Sequence, residues 1–163
     1  MDAHLEELAT RVLAACRSAG VRLVLAEAST GGLLGASLTD IPGASAVVER
    51  GFIPYSNEAK EEQLGVPQAL MVAHGAVSEP VVLALAEGAL AHSRADLALA
   101  ETGIAGPSGG SALKPVGLVH LAVLRRGHPP LTERHVFPGD RKAIRRASAA
   151  RGLELLLASL EKW

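Results

Sequence analysis

Leu23–Gly32 reads LVLAEASTGG: an apolar run, a lone carboxylate, small hydroxyl residues, then two glycines. An apolar run that stops at Ser-Thr-Gly-Gly has the pattern of a buried strand feeding the start of a helix. In an open α/β sheet, ligands bind at the carboxyl ends of strands. The first turn of the next helix offers unpaired N–H groups and a positive dipole end to an anion. Ser29 and Thr30 are placed to cap that helix, to contact a ligand, or both. Gly31 and Gly32 let the backbone come close to whatever sits there. A capped helix with a glycine needed for packing accounts for the same residues.

Further along, TGIAGPSGG (102–110) sets Gly103, Gly106, Gly109 and Gly110 directly after the apolar stretch DLALAE. It matches neither the Walker pattern, which ends in Gly-Lys-Ser/Thr, nor GxGxxG. A flexible surface loop is one account. Its place after a strand favours a ligand site whose backbone N–H groups face an anion or a carbonyl. Tyr55-Ser-Asn-Glu-Ala-Lys60 ends a strand and begins a helix, which sets Lys60 about one turn in. A lysine on a short exposed helix is ordinarily solvated surface. In an apolar cleft, desolvation lowers its pKa and lets it act as a base. Ser111-Ala-Leu-Lys114 matches S-x-x-K, but that motif needs a helix and Pro115 disfavours one, so it is rejected. The six histidines lack metal-ligand spacing, and no zinc site or other metal is expected. Arg141, Lys142, Arg145, Arg146 and Arg151 make the last helix basic and read as a solvated face. Arg141 is the exception, because it follows the Pro138-Gly-Asp140 turn and can meet a phosphate bidentately.

The elements that must hold these residues follow from periodicity. Leu5, Leu8, Val12, Leu13 and Cys16 share one face of a helix over 3–18, with Gly20 ending it. Cys16 lies on the apolar stripe and packs as a small hydrophobe. A strand is expected over Val21–Ala26 and a helix from Thr30 to Leu38. Val47–Tyr55 reads as a second strand, at an edge or ending at Pro54. Asn57 is the expected cap of a short helix closed by Gly65. Pro67 opens another, which His74-Gly75 closes, and Ser78-Glu79-Pro80 starts a longer one. Asp96–Glu101 is a third strand. Val116–Leu124 and Leu131–Phe137 alternate as an antiparallel hairpin across RRGHPP. Gly139-Asp140 caps a final helix over Arg141–Leu160. Strands alternating with helices, then a hairpin, predict an α/β fold: a three-layer α/β/α single domain with a mixed sheet, spanning 1–163.

Composition excludes several classes. The chain has 163 residues, 48% of them hydrophobic and 2% aromatic, so its core must be Leu, Val and Ala. Few aromatics leave few stacking platforms for single-stranded nucleic acid. A net charge of −1 gives no field favouring nucleic acid or an anionic membrane. One cysteine precludes an internal disulfide and suits a reducing compartment. The start, MDAHLEELATRVL, carries acids among its apolar residues and is no signal peptide. No apolar run nears the ~18 residues of a membrane span. A cytoplasmic location is expected.

Several segments together resemble the CinA C-terminal domain family, whose stand-alone members are nicotinamide-nucleotide amidohydrolases. They are AE-x-STGG (26–32), ERGFIPYSNEAKEEQLGV (49–66), HGAVSEPVV (74–82), GIAGPSGG (103–110), KPVG (114–117) and FPGDR (137–141). They occur in family order over nearly the whole chain. The resemblance does not extend to the molybdopterin-binding-like domain of longer CinA proteins. It implies hydrolysis of the carboxamide of nicotinamide mononucleotide to nicotinate mononucleotide and ammonia, with no cofactor. It also implies a homo-oligomer, such as a dimer, with a small nucleotide as its substrate. Members are thought to use a serine–lysine pair, because a hydroxyl needs a neighbouring base and the oxyanion needs donors.

Carried onto this chain, the resemblance implies a catalytic group of Lys60, Ser29 and Tyr55, with Lys60 as the base. Around the substrate it places Ala28, Thr30, Gly31, Gly32, Asn57, Thr102, Gly103, Ile104, Ala105, Gly106 and Arg141. N–H groups at the start of the STGG helix are the expected oxyanion donors. The chain departs from the family at the nucleophile. Members commonly read Glu-Ser-x-Thr-Gly-Gly, and an ungapped alignment puts their serine at Ala28, which carries none. Ser108 stands where many members have aspartate. Adjacent strand residues point to opposite faces, so Ser29 can substitute only if the strand turns there. Three alternatives follow: an active amidohydrolase using Ser29 or Thr30, a nucleotide-binding or regulatory protein with little catalysis, or an introduced Ala28 that silences the enzyme.

Overall fold

The computed structural model describes residues 2–162. In chain order the elements are α1 (Ala3–Ala19), β1 (Leu23–Glu27), α2 (Leu33–Thr39), β2 (Val48–Phe52), α3 (Asn57–Leu64), α4 (Gln68–His74), α5 (Glu79–Ala91), β3 (Leu97–Gly103), β4 (Leu118–Arg125), β5 (Leu131–Val136) and α6 (Arg141–Lys162). A single 3-10 turn over Ala44–Ala46 joins α2 to β2. The five strands run in the order β2-β1-β3-β4-β5. β1 is parallel to β2 and β3, whereas β3, β4 and β5 are antiparallel in sequence, which makes the sheet mixed.

Alternation along the strands sorts the core into two layers. Leu23 and Leu25 of β1, Leu97 and Leu99 of β3, and Val119 and Leu121 of β4 pack with the apolar stripes of α1, α2 and α6. Val24, Ala26, Ala98, Ala100 and Ala122 face the other way, onto Val82, Leu85 and Ala86 of α5, with Leu64 and Met71 beyond. Helices therefore cover both faces, as an α/β sheet of this kind requires. Cys16 is buried in the first layer, and burial pushes its thiol up to about 11, far from reactive thiolate. Among the described residues no helix is long and apolar enough to cross a membrane.

The chain leaves β1 through α2 on one face and returns to β3 through α3, α4 and α5 on the other. The crevice between β1 and β3 is thus the topological switch point, where sheets of this type bind ligands. The expected elements are present, with shifted ends. β2 stops at Phe52, two residues before Pro54, and lies at the sheet edge. Ser56, not Asn57, caps α3: its hydroxyl accepts from Ala59 N at 3.0 Å. At the site, α2 begins at Leu33 rather than Thr30. Gly31 and Gly32 have φ of +59° and +105°, so the chain turns through left-handed conformations before it can wind right-handed.

Candidate active site

The site begins with two carboxylates at strand ends. β1 and β3 are paired so that Glu27 lies opposite Glu101. Each continues the leucine face of its strand, Leu23-Leu25-Glu27 and Leu97-Leu99-Glu101, and each is buried. Glu27 closes the start of α2: its Oε1 accepts from Leu34 N at 2.7 Å and its Oε2 from Gly35 N at 2.9 Å. That replaces the side-chain cap expected from Ser29 or Thr30. Leu34 N and Gly35 N are spent on Glu27, Leu33 N on the Thr30 carbonyl and Thr30 N on Glu101, so these four N–H groups do not face a substrate oxyanion.

Glu101 gathers the turn between β1 and α2. Its Oε2 accepts from the Ser29 hydroxyl at 2.5 Å, and its Oε1 accepts from Thr30 N at 2.7 Å. Thr30 Oγ1 lies 2.7 Å from Oε1 of Glu27 and 2.9 Å from Oε1 of Glu101. A hydroxyl has one proton to give, so Thr30 Oγ1 shares a single donor between the two carboxylates. Full burial pushes the Glu101 carboxyl above the usual carboxylate range. Hydrogen bonds from Ser29 and Thr30 pull the other way.

On the strand-end side of this turn is a cavity of about 300 Å³ lined by Ala28, Ser29, Tyr55, Asn57, Lys60, Ala76, Val77, residues 102–106, Ser108, Gly109 and Arg141. That volume is at the small end of ligand sites. Lys60, one turn into α3, is 3% exposed, and its Nζ donates to the Tyr55 carbonyl at 3.0 Å. Burial holds its ammonium below the usual lysine range, against the nearby negative charge of Glu101. At the rim, Arg141 is fixed by two contacts, Nη1 to the Gly106 carbonyl at 2.8 Å and Nη2 to the Tyr55 hydroxyl at 3.0 Å. Thr102 Oγ1 donates to the Ala76 carbonyl at 2.9 Å, tying the end of β3 to the loop before α5.

The residues expected around the substrate divide accordingly. Ser29, Lys60, Tyr55, Ala28, Asn57, Thr102, Gly103, Ile104, Ala105, Gly106 and Arg141 all line the cavity, and the strand turns enough for both Ala28 and Ser29 to reach it. Thr30, Gly31 and Gly32 do not line it. Thr30 is fully buried behind Ser29, with its hydroxyl between the two carboxyls. Ser111-Ala-Leu-Lys114 forms a turn, Ser111 N donating to the Lys114 carbonyl at 2.7 Å, and not the helix its motif needs. Among the described residues no group of three or more His, Cys, Asp or Glu side chains could hold a metal ion.

Three residues escaped the sequence pattern. Arg145 is no solvated surface: its Nη2 donates to the Thr30 carbonyl at 2.6 Å and its Nε to the Ser29 carbonyl at 3.3 Å. Glu27 and Glu101 were visible only as a shared habit, both apolar strands ending in Ala-Glu before small residues.

Comparison with known proteins agrees with this architecture. Residues 5–160 match the CinA C-terminal domain. The chain is 46% identical over 155 residues to "Nicotinamide-nucleotide amidohydrolase PncC" of Escherichia coli K12, covering 95% of this chain and 94% of that protein. It is 50% identical to a "CinA-like protein" of Anaeromyxobacter sp. Fw109-5, again over 95% of this chain but only 38% of the longer relative. The crystal structure of competence/damage inducible protein CihA from Agrobacterium tumefaciens superposes with a TM-score of 0.95 at 46% identity, covering 99% of this chain and 98% of that one. With a fold, a strand-end cavity and a match along nearly its whole length, this chain belongs to the CinA C-terminal domain family.

Proposed function

We propose that this chain hydrolyses the carboxamide of nicotinamide mononucleotide, releasing ammonia and nicotinate mononucleotide, and that Ser29 is the nucleophile. The observation that carries this reading is the buried amine of Lys60 in the same cavity as the Ser29 hydroxyl, beneath a guanidinium at the rim. Burial lowers the proton affinity of the Lys60 amine, which eases its giving and taking of protons, and a hydroxyl with a proton acceptor in contact is an activated nucleophile. Arg141, already held at two points, offers planar donors to the substrate phosphate. The carboxamide would then lie at the Ser29 end and the phosphate at the rim. The identity to the Escherichia coli amidohydrolase over 94% of that protein supports the choice of substrate.

A second reading is favoured by one residue: Ala28 lines the cavity with a methyl group where family members commonly place serine. It makes the chain a nucleotide-binding protein with little turnover. Ammonia release from nicotinamide mononucleotide by the wild-type chain, Ala28→Ser and Ser29→Ala separates the two. Activity in the wild type that is lost in Ser29→Ala supports the hydrolase. Activity in Ala28→Ser alone supports the binding protein. A folded Ala28→Ser that is also silent removes the amidase reading, and calorimetry with the nucleotide then tests binding by itself.

A further inference from the structure

Two groups near the reacting hydroxyl can take up a proton, but only one of them touches it. Lys60 Nζ donates to the Tyr55 carbonyl at 3.0 Å. The Ser29 hydroxyl donates to Glu101 Oε2 at 2.5 Å, the short distance typical of an O–H bonded to a carboxylate. The position of that carboxylate is fixed from several sides. Its other oxygen is held by Thr30 N and Thr30 Oγ1, the residue opposite it on β1 is Glu27, and the facing residue on β4 is Leu121. The charged groups around it are Glu27 on β1, Lys60 on α3, and Arg145 on α6, which clamps the carbonyls of Ser29 and Thr30. A helix-start turn needs no buried carboxylate to hold a serine side chain, since Glu27 already closes α2.

We propose that Glu101 is the general base for Ser29, taking its hydroxyl proton directly, while Lys60 serves the leaving nitrogen. The inference rests on Ser29 being the nucleophile. In the first half-reaction the Ser29 Oγ–carbon bond forms as its proton passes to Glu101 Oε2. The carbon–nitrogen bond then breaks, and the nitrogen takes a proton from the Lys60 ammonium and leaves as ammonia. In the second, water attacks the acyl carbon and gives a proton to the Lys60 amine. The Oγ–carbon bond breaks, and Ser29 recovers its proton from Glu101. The products are the carboxylic acid, which ionises, and ammonia, with both side chains restored. A carboxyl whose affinity for protons is raised by burial is a better base for a hydroxyl than an ordinary surface carboxylate.

The test uses two readouts on the full chain. One is the pH dependence of kcat/KM for ammonia release from nicotinamide mononucleotide. The other is the rate at which a fluorophosphonate modifies Ser29, followed by intact mass, with melting curves to confirm the fold. Glu101→Gln keeps the shape of the side chain and removes the base. It is expected to lower kcat/KM and the modification rate by about a hundredfold or more, the usual share of a general base. It should also abolish the acid limb of both profiles. If Glu101→Gln does not fold, Glu101→Asp, which withdraws the carboxylate by one methylene, takes its place and should slow modification with the acid limb kept. Ser29 modified at an unchanged rate in the variant, or not modified in the wild type, overturns the assignment. Modification that depends on Glu101 without any ammonia release upholds the base and sinks only the choice of substrate.

Discussion

The guanidinium of Arg145, on the first turns of α6, donates to the carbonyl of Thr30 at 2.6 Å across a sequence separation of 115 residues. With the weaker contact from Nε to the Ser29 carbonyl at 3.3 Å, it holds from outside the turn that Glu101 holds from inside. Hydrogen bonds from a charged donor contribute roughly 1.5–3 kcal/mol each in favourable cases. Arg145→Met should therefore cost about 1–3 kcal/mol in urea unfolding and lower kcat more than it raises KM, because it loosens the reacting hydroxyl rather than the substrate. Arg145→Lys restores one donor and should recover part of both. An unchanged kcat in Arg145→Met would show that the turn keeps its shape without the clamp.

Lys114 latches the opposite wall of the cavity. Its Nζ donates to the carbonyls of His74 and Val77, the latter at 2.9 Å, in the loop that presents Ala76 and Val77 to the cavity. The same loop is tied to Thr102 through the Ala76 carbonyl. Lys114→Met leaves Ser29, Glu101 and Lys60 in place. The expected outcome is a KM for the nucleotide raised about three- to tenfold, up to ~1.4 kcal/mol, with kcat within about twofold. Steady-state kinetics decide it; a fall in kcat with KM unchanged would mean the loop acts on the chemistry instead.

Most of the architecture was legible in the sequence because it obeys local rules. The helical stripe of α1, the β4–β5 hairpin and the strand before STGG need only periodicity and turn residues, and each is present within a few residues of its expected bounds. Arg141 was singled out by its place after the Pro138-Gly-Asp140 turn, and it lines the cavity. Glu101 and Arg145 were not. Nothing local distinguishes a glutamate ending DLALAE from a solvated strand end; its burial comes from the register that sets it beside Glu27. Arg145 sits one turn from Arg141 on a basic helix, and only the packing of α6 across the β1–α2 turn separates it from its solvated neighbours. The start of α2 was misplaced for a related reason. Ser and Thr before glycines look like caps, but the cap is a carboxylate from the preceding strand.

A second pH-dependent contribution is remote from the cavity. Arg151 of α6 grips Glu133 of β5 bidentately, with Nε and Nη2 each 2.7 Å from a carboxylate oxygen, and His135 Nε2 adds a contact at 2.8 Å. The Arg151 guanidinium, with help from His135, holds the Glu133 carboxyl down at about 2 from an ordinary 4.5. A folded-state value below the unfolded one means that this stabilisation is complete above about 4.5 and is lost as pH falls toward 2. The melting temperatures of wild type and Glu133→Gln should differ at pH 6 and converge by pH 2. A gap that persists at the acid end would place the effect in packing rather than charge.

Gly103 tests the cavity without touching any ionisable group. It ends β3 opposite Val119, and a Cβ built there lies 2.8 Å from Val119 Cγ2, 3.0 Å from Ser29 Oγ and 3.2 Å from the Leu118 carbonyl. Val119 is fully buried in the core layer and the carbonyl belongs to the β4 ladder, so neither yields readily. Ser29 is half-buried and can rotate, which takes its hydroxyl off Glu101. Gly103→Ala should fold with a loss of about 1–3 kcal/mol, the usual cost of overpacking. Its binding of the nucleotide by calorimetry should change by less than about threefold, a shift below ~0.7 kcal/mol. Its ammonia release and its Ser29 modification rate should fall together by far more than that, because both depend on the one hydrogen bond the methyl displaces. Wild-type turnover in Gly103→Ala, with the fold confirmed, would mean that the Ser29–Glu101 contact is not where the reaction starts.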